Sequence, residues 1–232
     1  MRLDKAVADL FIMTRSQARE AIRAGIVMVN DCICTDIRTS IAAGDIIKSG
    51  GRSAETGFIY LMMNKPAGVL SVSRDDQQAT VIDLLPEQYR KKGLMTVGRL
   101  DKDTTGFLII TDDGQFSHRI TSPKSCVYKR YAVEYSGQLP ANAAALFAAG
   151  IALEDGSKCL PARLIPVADG RADVIICEGK YHQVKRMFTS VGCCVTGLSR
   201  ISIGRAILDS ALPPGGVRLL DPAELELLLD EI

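Results

Sequence analysis

Residues 98–114 read Gly-Arg-Leu-Asp-Lys-Asp-Thr-Thr-Gly-Phe-Leu-Ile-Ile-Thr-Asp-Asp-Gly. The stretch divides into a polar loop and an apolar run, Phe107 to Ile110. A short apolar run bounded by turn residues suits a buried strand. Asp101 lies in the loop that feeds it. Loops held by a rigid buried strand often carry functional groups. Asp also caps and turns loops in many proteins, and composition alone favours that plainer role.

Two further stretches share this design. Asn64-Lys65-Pro66-Ala67-Gly68 ends the apolar run Ile59 to Met63, and its Pro and Gly suit a tight turn. Residues 178–188, Glu-Gly-Lys-Tyr-His-Gln-Val-Lys-Arg-Met-Phe, read as helix. Val184, Met187, Phe188 and Val191 share one apolar face. At about 100° per residue, Lys185 falls on the border of that face and Arg186 points away. Lys185 can therefore reach inward, although a lysine lying along a helix flank is common.

Working outward, strand-like runs occur at 58–63, 107–111, 129–135, 163–167, 172–177 and 195–203. Helical runs occur at 114–120, 140–149, 181–191 and 222–230. Their irregular alternation predicts an α+β domain with a largely antiparallel sheet. Residues 49–57, Ser-Gly-Gly-Arg-Ser-Ala-Glu-Thr-Gly, read as a polar linker. It divides a domain at 58–232 from a compact unit at 1–48.

In that unit a helix fits residues 2–11, with Leu3, Ala6, Val7 and Leu10 on one face. A second helix opens on the capping box Thr14-Arg15-Ser16-Gln17 and stops at Gly25. Short strands are expected at 26–29 and 32–37, with a turn at Asn30-Asp31, and a last one after Gly44-Asp45. Arg15, Arg19 and Arg23 recur every four residues on the second helix, where Glu20 is the only acid. This reads as an unneutralised basic stripe able to track a phosphate backbone, against the usual fate of a solvated helix face.

The chain has 232 residues, 47% apolar and 24% charged, an ordinary globular balance. No run approaches the roughly 20 apolar residues of a membrane span. Met1-Arg2-Leu3-Asp4-Lys5 has no apolar signal core, so a cytoplasmic protein is expected. Seven cysteines without a C-x-x-C pair, and two histidines, favour neither a disulfide framework nor a metal site. The net charge of +1 hides an asymmetry. Taking the five acids after Arg218 from the total of 27 leaves 22 against 28 basic residues, net +6 for residues 1–218. Such a bias is compatible with a polyanionic partner.

The three stretches are not independent. Asn64-Lys65-Pro66-Ala67-Gly68, Gly98-Arg99-Leu100-Asp101 with Thr104-Thr105-Gly106, Lys129-Arg130-Tyr131, and GKYHQVKRMF at 179–188 occur in this order. Together they resemble the pseudouridine synthases of bacterial small-subunit (16S) ribosomal RNA. Arg2-Leu3-Asp4-Lys5, the Arg-rich second helix and the Gly25–Asn30 turn resemble the S4 RNA-binding module that precedes those catalytic domains. The resemblance spans nearly the whole chain. It implies an α+β protein: a small S4-like α/β module, then a synthase domain with a mostly antiparallel central sheet.

The resemblance also implies roles. Asp101 is the catalytic residue, and Lys185 is the cation beside it. Tyr131 stacks on the base and brings its hydroxyl towards C5. Arg99 helps hold the displaced nucleotide or its phosphate, and Leu198 walls the base pocket. Arg15, Arg19 and Arg23 bind RNA. The reaction breaks the N-glycosidic bond of a uridine, turns the base, and joins C5 to C1′. It needs no cofactor and no metal. The expected partner is small-subunit rRNA, free or in an assembly intermediate, and the enzyme is expected to be a monomer. Attack of Asp101 at C1′, attack at C6 and removal of the 2′-proton all stay open. So do a large-subunit synthase, which Lys185 in place of Arg disfavours, and a non-catalytic RNA-binding or assembly factor.

Overall fold

The structure, a computed structural model, describes residues 1–229. The helical reading of 222–230 runs past that limit, and Asp230 and Glu231 lie outside the described residues.

Two helices, α1 (Leu3–Leu10) and α2 (Arg15–Arg23), pack on a four-stranded antiparallel sheet. Its strands are β1 (Met28–Val29), β2 (Cys32–Ile33), β3 (Ile46–Ser49) and β4 (Arg52–Glu55), in the order β2-β1-β3-β4. Leu3, Val7, Ala18, Ile22, Val27 and Ile47 are fully buried between these layers. The spacing of 3 and 4 that predicted α1 is therefore the face that meets the core. The capping box of α2 forms: Thr14 accepts from the Gln17 backbone N–H, and Gln17 accepts from that of Thr14. The second strand is shorter than 32–37, covering only Cys32–Ile33.

Residues 49–57 are not a free linker. Gly50 and Gly51 take φ of +57° and +78°, as a tight two-residue hairpin needs. Beyond them β4 pairs with β3 along its whole length. The Gly-Gly pair that suggested flexibility is a hairpin turn. The join to the rest of the chain is also fixed laterally: the Lys92 N–H donates to the Asp9 carbonyl at 3.0 Å, and the Arg52 guanidinium pairs with Glu87 at 3.6 Å.

The larger sheet has nine strands. Its path is built from β5 (Tyr60–Lys65), β7 (Thr105–Thr111), β8 (Lys129–Ser136), β9 (Arg163–Ala168), β10 (Arg171–Ile176), β11 (Cys194–Ile203) and β13 (Val217–Leu219). The order is β13-β5-β7-β11-β8-β10-β9, with β6 (Met95–Val97) added to β7 and β12 (Ala206–Ile207) to β11. Among the pairings of these strands in the described residues only β7–β11 is parallel. The expected antiparallel α+β sheet is what forms.

Strand β7 is buried on both faces. Leu108 and Ile110 enter one core with Leu61, Tyr131, Val174 and Phe188. Phe107 and Ile109 enter the other with Met62, Phe116 and Ile120. Each such side chain contributes about 1.5–3 kcal/mol on burial. Helices α4 (Ala143–Ala149) and α5 (Gln183–Thr189) cover the first face through Phe147 and Phe188. Helix α3 (Gly114–Thr121) covers the second through Phe116 and Ile120, and α6 (Pro222–Leu227) joins it there through Leu225 and Leu227. Both α4 and α5 are shorter than the runs 140–149 and 181–191. Helix α5 starts late because His182 takes φ +48°, a left-handed conformation that interrupts the helix before it begins.

Candidate active site

Asp101 sits on the loop between β6 and β7, and that loop is pinned from below. Lys65, at the end of β5, is 0% exposed. Its ammonium donates to the carbonyls of Pro66, Lys102 and Thr104 at 2.9, 3.2 and 2.9 Å. Three acceptors match the three N–H bonds of a lysine ammonium. Burial pushes Lys65 down to about 8, and the charges of Asp103 and Asp101 oppose that. The Gly68 N–H adds a bond to the Lys102 carbonyl at 2.8 Å, and the Leu100 N–H one to Ser71 Oγ at 3.3 Å. The turn at Asn64–Gly68 is thus a clamp on the Asp101 loop, a role the sequence reading did not see.

The Lys185 ammonium meets Asp101 Oδ2 at 3.1 Å and Asp103 Oδ1 at 2.6 Å. Burial works against its charge, but the bonds to Asp103 and Asp101 outweigh burial and raise it above its ordinary 10.5. The bond from Lys185 in turn holds the Asp103 carboxyl below its usual range, against some burial. Lys185 is therefore a fixed cation at neutral pH. Its neighbour Arg186 points away and pairs with Asp155 at 2.6 Å, as the helical phase requires. Asp103 was not among the expected site residues. Its place two positions after Asp101 was visible, but not that both would face one lysine.

Of these groups Asp101 lines a cleft of about 460 Å³, a nucleoside-sized space. Tyr131, 8% exposed on β8, and Leu198 on β11 form part of its wall. Arg99 is exposed on the rim and makes no ion pair among the described residues. His182 is a further lining residue that sequence reasoning missed: its Nε2 lies 3.6 Å from Asp101 Oδ1. The left-handed turn puts it there, and nothing in the local composition announces that geometry. No group of three or more His, Cys, Asp or Glu able to hold a metal occurs among the described residues. None of the described helices is long and apolar enough to cross a membrane.

The basic stripe on α2 lies far along the chain and is not as expected. Asp4 on α1 is fully buried and receives Arg15 at 3.2 Å and Arg19 at 3.0 Å, with Arg2 at 3.3 Å. Burial raises the Asp4 carboxyl, but Arg19, Arg15 and Arg2 together prevail and hold it below its ordinary 3.8. Two of the three arginines are therefore partly neutralised, by an acid on another helix. Arg23 is exposed and has no ion pair among the described residues.

Asp101, paired with Lys185, thus opens on a nucleoside-sized cleft in a sheet domain that follows a small α/β module. The pattern of the RNA pseudouridylate synthase family matches residues 59–190, and that of the S4 domain residues 1–47. The "uncharacterized RNA pseudouridine synthase YtzG" of Bacillus subtilis is 42% identical, over 98% of both chains. The "ribosomal small subunit pseudouridine synthase A" of Vibrio cholerae is 40% identical, over 97% of this chain and 98% of that one. A crystal structure of a pseudouridylate synthase superposes with a TM-score of 0.70 at 39% identity, covering 98% of this chain and 99% of that one. The chain belongs to the RNA pseudouridine synthase family, with an N-terminal S4 domain, and is an isomerase.

Proposed function

We propose that this enzyme converts a uridine of small-subunit rRNA to pseudouridine in the cytoplasm, with Asp101 as the catalytic carboxylate. The observation that carries the reading is the Lys185–Asp101 contact of 3.1 Å, with Asp101 lining a cleft walled in part by Tyr131. The relatives named for the small subunit support the choice of RNA.

A carboxylate can act covalently at an anomeric centre or remove a proton beside it. Either task needs the carboxylate held in one place against the nucleoside. Lys185 holds the Asp101 carboxylate from one side at 3.1 Å, while the Lys65 clamp steadies its loop. The N1–C1′ bond breaks, the base turns, and the C5–C1′ bond forms. C5 then gives up its proton and N1 takes one, so atoms and electrons balance without an external reagent. Tyr131 stacks against the detached base and keeps it in the cleft while it turns. Its hydroxyl approaches C5 to assist proton removal. Leu198 closes the apolar side, and Arg99 engages a phosphate at the rim. The uridine must leave its stack to reach Asp101.

The test is pseudouridine mapping in undermodified small-subunit rRNA incubated with the wild type and with Asp101→Asn. The substitution is expected to remove turnover, by at least about 1,000-fold, while RNA binding persists. Full turnover in the variant would overturn the assignment of Asp101. Modification confined to large-subunit rRNA would overturn the choice of substrate.

A further inference from the structure

The loop joining β10 to α5 does more than deliver Lys185. His182 turns the chain at φ +48° and ψ +34°. That turn lays the Tyr181 ring on the imidazole, with centroids 3.8 Å apart and planes 18° from parallel. The imidazole in turn faces Asp101 at 3.6 Å. Tyr181 is 77% exposed, and it lines the mouth of the same cleft. One face of its ring is covered by His182 and the other is free. An aromatic ring so open to water adds little to the folded core, so the fold does not account for it. Arg99 and Lys102, which line the same cleft, are exposed cations. A free aromatic face next to rim cations is the arrangement that receives a single-stranded nucleotide: the ring takes the base and the cations take the phosphates.

We propose that Tyr181 is the stacking platform for the nucleotide next to the target uridine. This rests on the reading of the cleft as the uridine site. The target itself belongs deeper, where Tyr131 is almost fully buried beside Asp101. Tyr181 is set off from Asp101 by the intervening imidazole, so a base on its outer face is one position removed from the reacting one. His182 acts as a spacer: its left-handed backbone fixes how far the platform stands from the carboxylate. The platform then holds the flanking base outside the cleft while the target enters. It contributes to binding of the RNA and not to the bond-breaking step.

The experiment uses the full chain and an rRNA fragment containing the target uridine, with 2-aminopurine placed on its 5′ side in one RNA and its 3′ side in another. Binding is expected to quench the fluorescence of one of the two. Tyr181→Ala should abolish that quench and raise KM about tenfold or more, with kcat changed far less. Tyr181→Phe keeps the ring and should restore both. Asp101→Asn should keep the quench while losing turnover, which separates the platform from the chemistry. Quench and KM unchanged in Tyr181→Ala, or no quench at either flank in the wild type, would overturn the proposal. A wild type that quenches 2-aminopurine but forms no pseudouridine would instead sink the reading of the cleft, leaving the platform in place.

Discussion

Lys65 and Asp4 are both fully buried charges, and they differ in what surrounds them. Lys65 is enclosed by three backbone carbonyls, so its removal takes a donor from each of them. Lys65→Met, close in volume, is expected to cost about 3 kcal/mol, lowering Tm by about 6–12 °C in a melt. Turnover should fall further than stability explains, because the Asp101 loop loses its clamp. A melt within 2 °C of wild type, as a rough bound, would show that the clamp is dispensable. Asp4 instead faces arginines that are 42–53% exposed. They return to water when it is lost, so Asp4→Asn should cost only about 1–2 kcal/mol, less than a wholly buried pair. The sign with pH follows from the depressed carboxyl. Below the ordinary value of 3.8 the unfolded chain takes up the proton first. The stabilisation is therefore complete above that value and disappears as pH falls through the lower, folded value. Melts from pH 6 down to about 3 should decline more steeply in the wild type than in Asp4→Asn.

At the scale of elements, the parallel pairing of β7 with β11 decides where the site forms. It brings Gly106 against Arg200, where a Cβ would lie 2.3 Å from the Arg200 carbonyl oxygen, at φ +99°. No other residue fits both the space and the backbone. Gly106→Ala is expected to destabilise by about 3 kcal/mol, from overpacking and an unfavourable φ together. Circular dichroism should show the fold retained at low temperature, with an early melt; an unchanged melt would mean that β11 moves aside freely. The same scale shows where reading by composition misled. Gly50-Gly51 in a polar stretch looks the same whether it joins domains or turns a hairpin, because both need glycine. Only the pairing of β4 with β3 distinguishes them. Helix α5 was legible in phase but not in extent: Lys185 and Arg186 point as their spacing demands, whereas the left-handed His182 left no compositional trace.

For the whole molecule, RNA binding by the S4 domain can be probed apart from the cleft. The pairing of Arg15 and Arg19 with Asp4 leaves Arg23 as the cleanest probe of the first contact, since it can be altered without disturbing a buried acid. Arg23→Glu should weaken RNA binding and lower the salt slope by about one, with Tm unchanged. An unchanged slope would remove Arg23 from the RNA surface. The alternation of apolar and polar residues determined by itself the α+β class, the buried β7 strand and the amphipathic helices, because periodicity is a local property of the chain. The ordered motifs also singled out Asp101, Tyr131 and Lys185 before any geometry. Tertiary structure alone decided that Lys65 clamps the Asp101 loop, that Asp103 and His182 join it, and that Asp4 partly neutralises the arginines. Each of these depends on the distance between residues far apart in sequence, and charge and hydrogen bonding act through space with no local signature.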